Sequence, residues 1–259
     1  MAALDLLALL LGTLALRPYV FGFLLAYLLT AGTDLGWRRA LLFTGWAWAV
    51  AFLAEWSSTR NGIPFGLYHY TGLTLGQEVF LANVPFFDSL SFTFLAYAAF
   101  ALARWLLGRS RGLAVVGLSG AMMTLLDVVI DPLAVRGDRW FLGPLFYYPD
   151  GGVYFGVPLS NFLGWAIVGW VIVGGHLVMS GGPVPSRPGR GAGLYYAILA
   201  FNLALTAWIG EFLLLGVGLL LHAAAFLALW SFRGSRMAAA LGITASSAGS
   251  ARATVPPPR

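Results

Sequence analysis

Two aspartates four residues apart, Asp127 and Asp131, close a long apolar run that ends at Pro132. On an α-helix, side chains at this spacing lie about 40° apart around the axis, so both carboxylates point the same way. An ionisable side chain inside a membrane is costly and usually faces a functional interior. The spacing therefore predicts an intramembrane acid site, and a structural pair satisfied by a neighbouring arginine or by backbone groups is the alternative. Pro132 is expected to end the helix, because the residue before a proline resists helical geometry.

The composition places these aspartates in a membrane protein. Of the 259 residues, 59% are hydrophobic and only 10% are charged, which is more apolar surface than a soluble core of this size can bury. Cysteine is absent, so disulfides, thiolate metal sites and thiol nucleophiles are excluded. The net charge of +5 comes from arginines near helix ends, where membrane topology explains them, and we expect no nucleic-acid partner.

Apolar runs of sufficient length predict an all-α polytopic bundle of about seven transmembrane helices. The first run is expected to form one long, tilted span kinked at Pro18, with a re-entrant or interfacial pair as the alternative. We expect a single transmembrane domain over residues 1–233 and a disordered cytoplasmic tail over residues 234–259, which are rich in Gly, Ser, Ala and Pro. The predicted spans cover residues 2–30, 40–56, 85–104, 113–130 and 157–179, with two more between 193 and 232.

Two long segments between spans are rich in aromatic residues and glycine. We call residues 57–83 the first aromatic segment and residues 133–156 the second. Both are too apolar for solvated loops, so we expect them to pack on the bundle. Within the second, Tyr148 to Tyr154 resembles a hairpin turn between aromatic arms.

The distribution of arginines predicts the orientation. Most arginines fall in the loops after the first, third and fifth spans and in the tail, which the positive-inside rule assigns to the cytoplasm. The protein would then be integral to the cell (inner) membrane, with a cytoplasmic C-terminus and both aromatic segments outside. Most acidic residues sort to that outer side, which suggests a carboxylate site beneath the aromatic segments.

Several of these acids are candidates for chemistry. Glu55 ends a predicted span, and Asp127 lies about one turn, roughly 6 Å, deeper than Asp131. Burial would help the deeper acid stay protonated, as a proton donor requires. Asp88 is either part of the site or a carboxylate at a helix N-terminus, and Glu211 is either a site residue or a solvated turn residue. Asp138 and Asp150 are expected to be loop acids, and the three scattered histidines predict no metal site.

Three blocks of sequence together resemble the CruF-type carotenoid hydratases, a family of integral membrane proteins that includes bacterial carotenoid 1,2-hydratases and archaeal bisanhydrobacterioruberin hydratases. The resemblance covers roughly residues 40–230. The blocks are Glu55-Trp56 with Asn61-Gly-Ile-Pro-Phe-Gly-Leu-Tyr-His-Tyr70, Asp127-Val-Val-Ile-Asp131-Pro132, and Gly152-Val-Tyr-Phe-Gly-Val-Pro-Leu-Ser-Asn-Phe-Leu-Gly-Trp165.

The resemblance implies that water adds across the terminal double bond of an acyclic carotenoid end group and gives a tertiary alcohol. The implied partners are the carotenoid, water and membrane lipid, with no cofactor and no metal. Protonation of the alkene needs a placed acid and surroundings that stabilise a cation. In this scheme Asp127 or Glu55 donates the proton, Asp131 orients or deprotonates the water, and Asn161 holds it. The aromatic residues expected to line the polyene channel are Phe65, Tyr68, Tyr70, Tyr154 and Trp165.

Two alternatives belong to other classes of protein. A membrane prenyltransferase would use paired carboxylates to hold magnesium against a diphosphate. A transporter or lipid-binding protein would use them to relay protons. The sequence makes no prediction about the oligomeric state.

Overall fold

The computed structural model describes residues 3–182 and 187–240. Within these ranges the chain is a bundle of eight α-helices with very little sheet, which confirms the all-α polytopic fold. The helices are α1 (Ala3–Leu16), α2 (Pro18–Asp34), α3 (Trp37–Asn61), α4 (Phe86–Leu107), α5 (Leu113–Ala134), α6 (Leu159–Met179), α7 (Gly189–Trp208) and α8 (Phe212–Ala240).

Helices α3 to α8 are each long and apolar enough to cross a membrane, and the pair α1 and α2 raises the possible number of spans in the described residues to seven. The expected break at Pro18 is confirmed, because Pro18 is the first residue of α2 and has no N–H to offer the preceding turn. The bend is 95°, however. The pair is therefore either one span broken at Pro18 or the re-entrant loop that the sequence left as the alternative.

Helix α4 lies at the centre of the bundle. In the most apolar stretch of 18 residues in α4, 78% of the residues are buried, whereas in the corresponding stretch of α8, at the edge of the bundle, 17% are buried. Its inner stretch from Ala96 to Ala103 is alanine-rich and almost fully buried, which lets neighbouring helices approach closely. Glycines do the same where α5 meets α6: a Cβ atom on Gly169 would lie 2.9 Å from the Cα atom of Gly120. The bundle is therefore held together by close packing of small residues.

Pro132 does not end its helix, contrary to the sequence prediction, and α5 continues to Ala134. A proline in a helix leaves the carbonyl four residues earlier without its usual N–H partner, and here that carbonyl belongs to Val128. The hydroxyl of Tyr154 donates to the Val128 carbonyl oxygen at 3.2 Å. The second aromatic segment thus supplies the bond that the proline removes.

The two aromatic segments pair with each other. Strand β1 (His69–Tyr70) lies antiparallel to β4 (Phe146–Tyr147), with Tyr70 opposite Phe146, while β2 (Phe80–Leu81) and β3 (Val84–Pro85) form a small hairpin. A turn at Tyr148 exists, but the predicted hairpin is wrong in its partners, because β4 pairs with the other segment. Helix α3 also takes the first five residues of the first aromatic segment, residues 57–61.

The first aromatic segment docks on α6 at a glycine. A Cβ atom on Gly164 would lie 2.7 Å from both the Pro64 carbonyl oxygen and the Phe65 ring. On its other side, the Phe65 backbone N–H donates to Ser58 Oγ of α3 at 3.0 Å. Phe65 is 3% exposed. The expected packing of this segment on the bundle is therefore observed.

The arginine-bearing loops meet at the other end of the bundle. Arg104 at the end of α4 forms a buried ion pair with Asp34 at the end of α2, and Asp34 also accepts from the Arg187 backbone N–H at 2.9 Å. Arg111 donates to the carbonyl oxygen of Gly181 at 2.8 Å. The loops after α2, α4 and α6 thus share one end, and the aromatic segments share the opposite one.

The domain boundary at residue 233 remains a prediction. Helix α8 continues through it to Ala240. The rest of the expected tail, residues 241–259, lies outside the described residues.

Candidate active site

Asp127 and Asp131 share one hydrogen-bond donor. Asn161, in the first turn of α6, donates from its side-chain nitrogen to Asp127 Oδ2 and to Asp131 Oδ2, each at 2.7 Å. A side-chain amide carries two hydrogens on its nitrogen, so both bonds form at once. Both aspartates face α6, as their i, i+4 spacing predicted.

Trp165 completes this group from the next turn of α6. Its indole N–H donates to Asp131 Oδ2 at 3.2 Å, and its ring stacks on Phe92 of α4 at a centroid distance of 4.5 Å. Asn161 and Trp165 are four residues apart, so they share one face of the helix. The hydrogen-bond donors to Asp131 are therefore an amide and an indole. The aspartate pair is not held by an arginine, which was one of the partners considered in the structural alternative. The buried arginine ion pairs in the described part of the chain involve Asp34 and Glu78 instead.

The two aspartates differ in access. Asp127 is fully buried, its Oδ1 atom finds no hydrogen-bond partner among the described residues, and it does not line the cavity described below. Asp131 does line that cavity. A direct role in chemistry therefore suits Asp131 better, and Asp127 lies behind it.

A second pair of carboxyl groups lies in the same cavity. Glu55 of α3 and Asp88 of α4 both contact the hydroxyl of Tyr70 on β1, at 3.0 Å and 2.7 Å. Ser89 donates to the other oxygen of Glu55. Asp88 lies in the first turn of α4, as expected, yet its side chain makes no cap and turns into the cavity instead.

Burial, and after it the neighbouring Asp88 and Glu55 carboxyl groups, raise the pKa of the Tyr70 phenol well above its usual value. Tyr68 responds in the same way, since burial and then Glu55 raise its pKa. Both phenols therefore keep their protons at neutral pH. Tyr70 is consequently a hydrogen-bond donor beside the carboxyl groups.

These groups line a cavity of about 890 Å³ that includes its open mouth. Most of the wall is aromatic or aliphatic, and four of the five proposed channel residues line it: Phe65, Tyr68, Tyr70 and Trp165. Tyr154 does not, since its hydroxyl is bonded to the α5 backbone.

Sequence reasoning missed part of the wall. Helix α2 supplies Tyr19 and Phe23, and α7 supplies Phe201 and Asn202. Tyr19 and Phe201 stack at 5.3 Å, which joins α2 to α7 at the cavity. No local pattern marks these residues. The one signal in the sequence is that each is a polar or aromatic residue in an apolar run, towards the end of the run that lies on the same side of the membrane as Glu55 and Asp88.

The remaining outer acids lie elsewhere. Glu211, in the turn before α8, pairs with Arg136 at 3.1 Å and also contacts Arg139. Its slight burial alone would raise the pKa, but the two arginines lower it below the usual value. Asp138 and Asp150 are exposed, as expected of loop acids. Within residues 3–182 and 187–240, no group of three or more His, Asp or Glu side chains could hold a metal ion.

The fold and the site define a polytopic helical membrane protein with a carboxyl-lined cavity at one end of its bundle. Residues 5–231 match the family model described as carotenoid biosynthesis protein, and the chain belongs to that family. A bisanhydrobacterioruberin hydratase from Haloarcula japonica is 34% identical over 166 residues, which are 62% of this chain and 54% of the relative. The match thus spans about half of that relative's length. No solved structure matches the chain.

Proposed function

We propose that the protein hydrates the terminal C=C bond of an acyclic carotenoid end group and gives a tertiary alcohol. The observation that carries the proposal is the single cavity that joins carboxyl groups from three helices to aromatic walls. Membership of the carotenoid biosynthesis family and the similarity to a hydratase support the substrate class. The aromatic and aliphatic wall suits an apolar end group, with the rest of the polyene in the lipid.

The chemistry requires an acid on one side of the double bond. A neutral carboxyl group gives its proton to an alkene carbon, and the electron pair of the C=C bond forms the new C–H bond. The other carbon becomes a tertiary cation. Asp131, as a carboxylate, and the stacked rings of Phe92 and Trp165 would stabilise that cation, since negative charge and π faces both attract it.

Water then closes the reaction. A water molecule near Asp131 attacks the cation through its oxygen and passes a proton to the Asp131 carboxylate. Asn161 and Trp165 hold this carboxylate in place through hydrogen bonds of 2.7 Å and 3.2 Å. Return of the proton from Asp131 to the donor restores the site, so one water is consumed and no redox cofactor is needed.

The acid role shifts from the sequence-based assignment. Asp127 was one of two candidate donors, yet it does not line the cavity, whereas Glu55 does. We therefore propose Glu55 or its neighbour Asp88 as the donor, Asp131 as the base, and Asp127 as a group that helps fix Asn161.

Expression of the full chain in a lycopene-producing host tests the proposal. Mass spectrometry of the pigments should show a gain of one or two waters. Isolated membranes supplied with unlabelled carotenoid in deuterated water should place deuterium on the carbon beside the new alcohol. The matched control is a Glu55→Gln, Asp131→Asn double variant present in the membrane at the same level. Unchanged pigment with the wild-type protein, across acyclic carotenoids, would refute the proposal.

A further inference from the structure

The hydroxyl of Tyr70 makes one more contact than its hydrogen allows. It lies 3.0 Å from Glu55 Oε1 and 2.7 Å from Asp88 Oδ2, and a phenol has a single hydrogen to donate. With both carboxyl groups ionised, one contact would bring two oxygens to hydrogen-bond distance with no hydrogen between them. Such an arrangement is costly in a buried site. A proton on one of the two carboxyl groups, donated to the Tyr70 oxygen, would satisfy both contacts.

The surroundings distinguish the two carboxyl groups. Asp88 has a cation nearby, since Arg17 Nη1 lies 3.8 Å from Asp88 Oδ1. The Arg17 side chain is only 3% exposed, and Glu78 fixes it through a contact of 2.7 Å. A buried cation favours the ionised form of a carboxyl group beside it.

Glu55 has no such partner. Its oxygens contact the hydroxyls of Tyr70 and Ser89, and no ion pair to it is found in the described residues. Glu55 is 3% exposed. Besides Asp88, the carboxyl group that shares the cavity wall with Glu55 is that of Asp131, which brings no positive charge. Burial without a cation favours the neutral acid. The polar side chains that surround the pair include Arg17, Tyr19, Tyr68, Tyr70, Glu78, Ser89, Asp131, Tyr148 and Asn161.

We propose that Arg17 and Asp88, acting through Tyr70, hold Glu55 as the neutral carboxylic acid that donates the proton to the double bond. The transfer of the proton to the double bond rests on the proposed function, whereas the location of the proton on Glu55 does not. As the proton leaves Glu55 and the C–H bond forms, the Tyr70 hydroxyl turns its hydrogen to the new Glu55 carboxylate. Both carboxyl groups are then ionised, with Asp88 paired with Arg17, until Asp131 returns the proton to Glu55. Glu55 is the catalytic residue in this scheme, and Arg17, Asp88 and Tyr70 are positioning residues.

Infrared difference spectroscopy of the purified full-length protein locates the proton, because the carbonyl stretch of a neutral carboxyl group is separate from the carboxylate bands. At neutral pH, subtraction of the Glu55→Gln spectrum from the wild type should reveal this band. Subtraction of the matched Asp88→Asn spectrum should not. A band assigned to Asp88 instead, or no band from either residue, would overturn the proposal.

The role of Arg17 is tested by combining Arg17 variants with the Glu55 and Asp88 variants. In an Arg17→Gln background the proton is no longer confined to Glu55, so a neutral-carboxyl band that disappears with Asp88→Asn should emerge. An Arg17→Lys background keeps the charge and should restore the wild-type pattern. Identical bands in all three backgrounds would remove Arg17 from the scheme. The single Glu55 and Asp88 variants retain Arg17, so they locate the proton even where Arg17→Gln does not fold.

Activity separates this inference from the proposed function. Hydration per folded molecule should fall about 10²–10⁴-fold in Glu55→Gln, as is usual on loss of a general acid. Full activity in that variant would overturn the donor role of Glu55. A protein that shows the Glu55 band but hydrates no carotenoid would instead refute the proposed function and leave the proton assigned to Glu55.

Discussion

At the scale of single residues, access to the cavity separates acids that look alike in sequence. Asp127 and Asp131 share the Asn161 side chain, but only Asp131 reaches the cavity. Helix periodicity places both on one face and gives no account of this difference.

The two aspartates should therefore respond differently to removal of the charge. Asp131→Asn takes away the group proposed to accept the proton of water, and hydration should then fall about 10²–10⁴-fold. Asp127→Asn should cost less, since its side chain would still accept from Asn161 through its oxygen. Hydration rates per folded molecule, measured with pigment extracts and protein blots, compare the two variants. An inactive Asp127→Asn beside an active Asp131→Asn would return the direct role to Asp127.

At the scale of elements, the second aromatic segment supports α5 where Pro132 interrupts its hydrogen bonds. The bond from Tyr154 to the Val128 carbonyl oxygen fills that gap. Tyr154 was proposed as a channel residue, and its position outside the cavity suggests a structural role instead. The same segment also pairs with the first one through β1 and β4, which brings Tyr70 to the carboxyl groups.

Tyr154→Phe tests the support of α5. The change keeps the ring and leaves a partly buried carbonyl without its donor, which typically costs about 1–3 kcal/mol. Thermal unfolding in detergent should therefore show a lower midpoint, with activity per folded molecule unchanged. Tyr147→Phe, at a tyrosine that is 51% exposed, is the matched control and should change neither quantity. Normal stability with a loss of activity would make Tyr154 a substrate contact.

At the scale of the whole molecule, the two ends of the bundle have opposite character. One end holds the arginine loops and the buried Asp34–Arg104 pair, and the other holds the cavity beneath the aromatic segments. The positive-inside rule predicts that the arginine end is cytoplasmic. The substrate would then meet the carboxyl groups near the outer membrane interface.

Cysteine labelling tests this orientation cleanly, because the protein has no cysteine. Asp150→Cys lies in the second aromatic segment at an exposed position, and Ser246→Cys lies in the expected tail. A membrane-impermeant thiol reagent applied to intact cells should label only Asp150→Cys, and permeabilised cells should label both. The reverse pattern would invert the topology and place the cavity at the inner interface.

Much of the fold was predictable because its signals are local. A membrane span needs about 20 apolar residues, and a run of this length can be recognised in the sequence without knowing which other segments pack against it. The same holds for the break at Pro18 and for the shared face of Asp127 and Asp131, which follow from backbone geometry. The prediction that Pro132 ends α5 failed, because a contact from Tyr154 compensates for the missing hydrogen bond.

The sequence by itself thus determined the apolar bundle, the two aromatic segments and the presence of carboxyl groups at one end. Only the tertiary structure decided which of those groups meet. Glu55, Tyr70 and Asp88 come from three elements, and Arg17 reaches them from the break before α2. Contacts between distant elements depend on how the helices pack, and small residues such as Gly120 and Gly164 set that packing through their neighbours. No spacing along the chain encodes those distances.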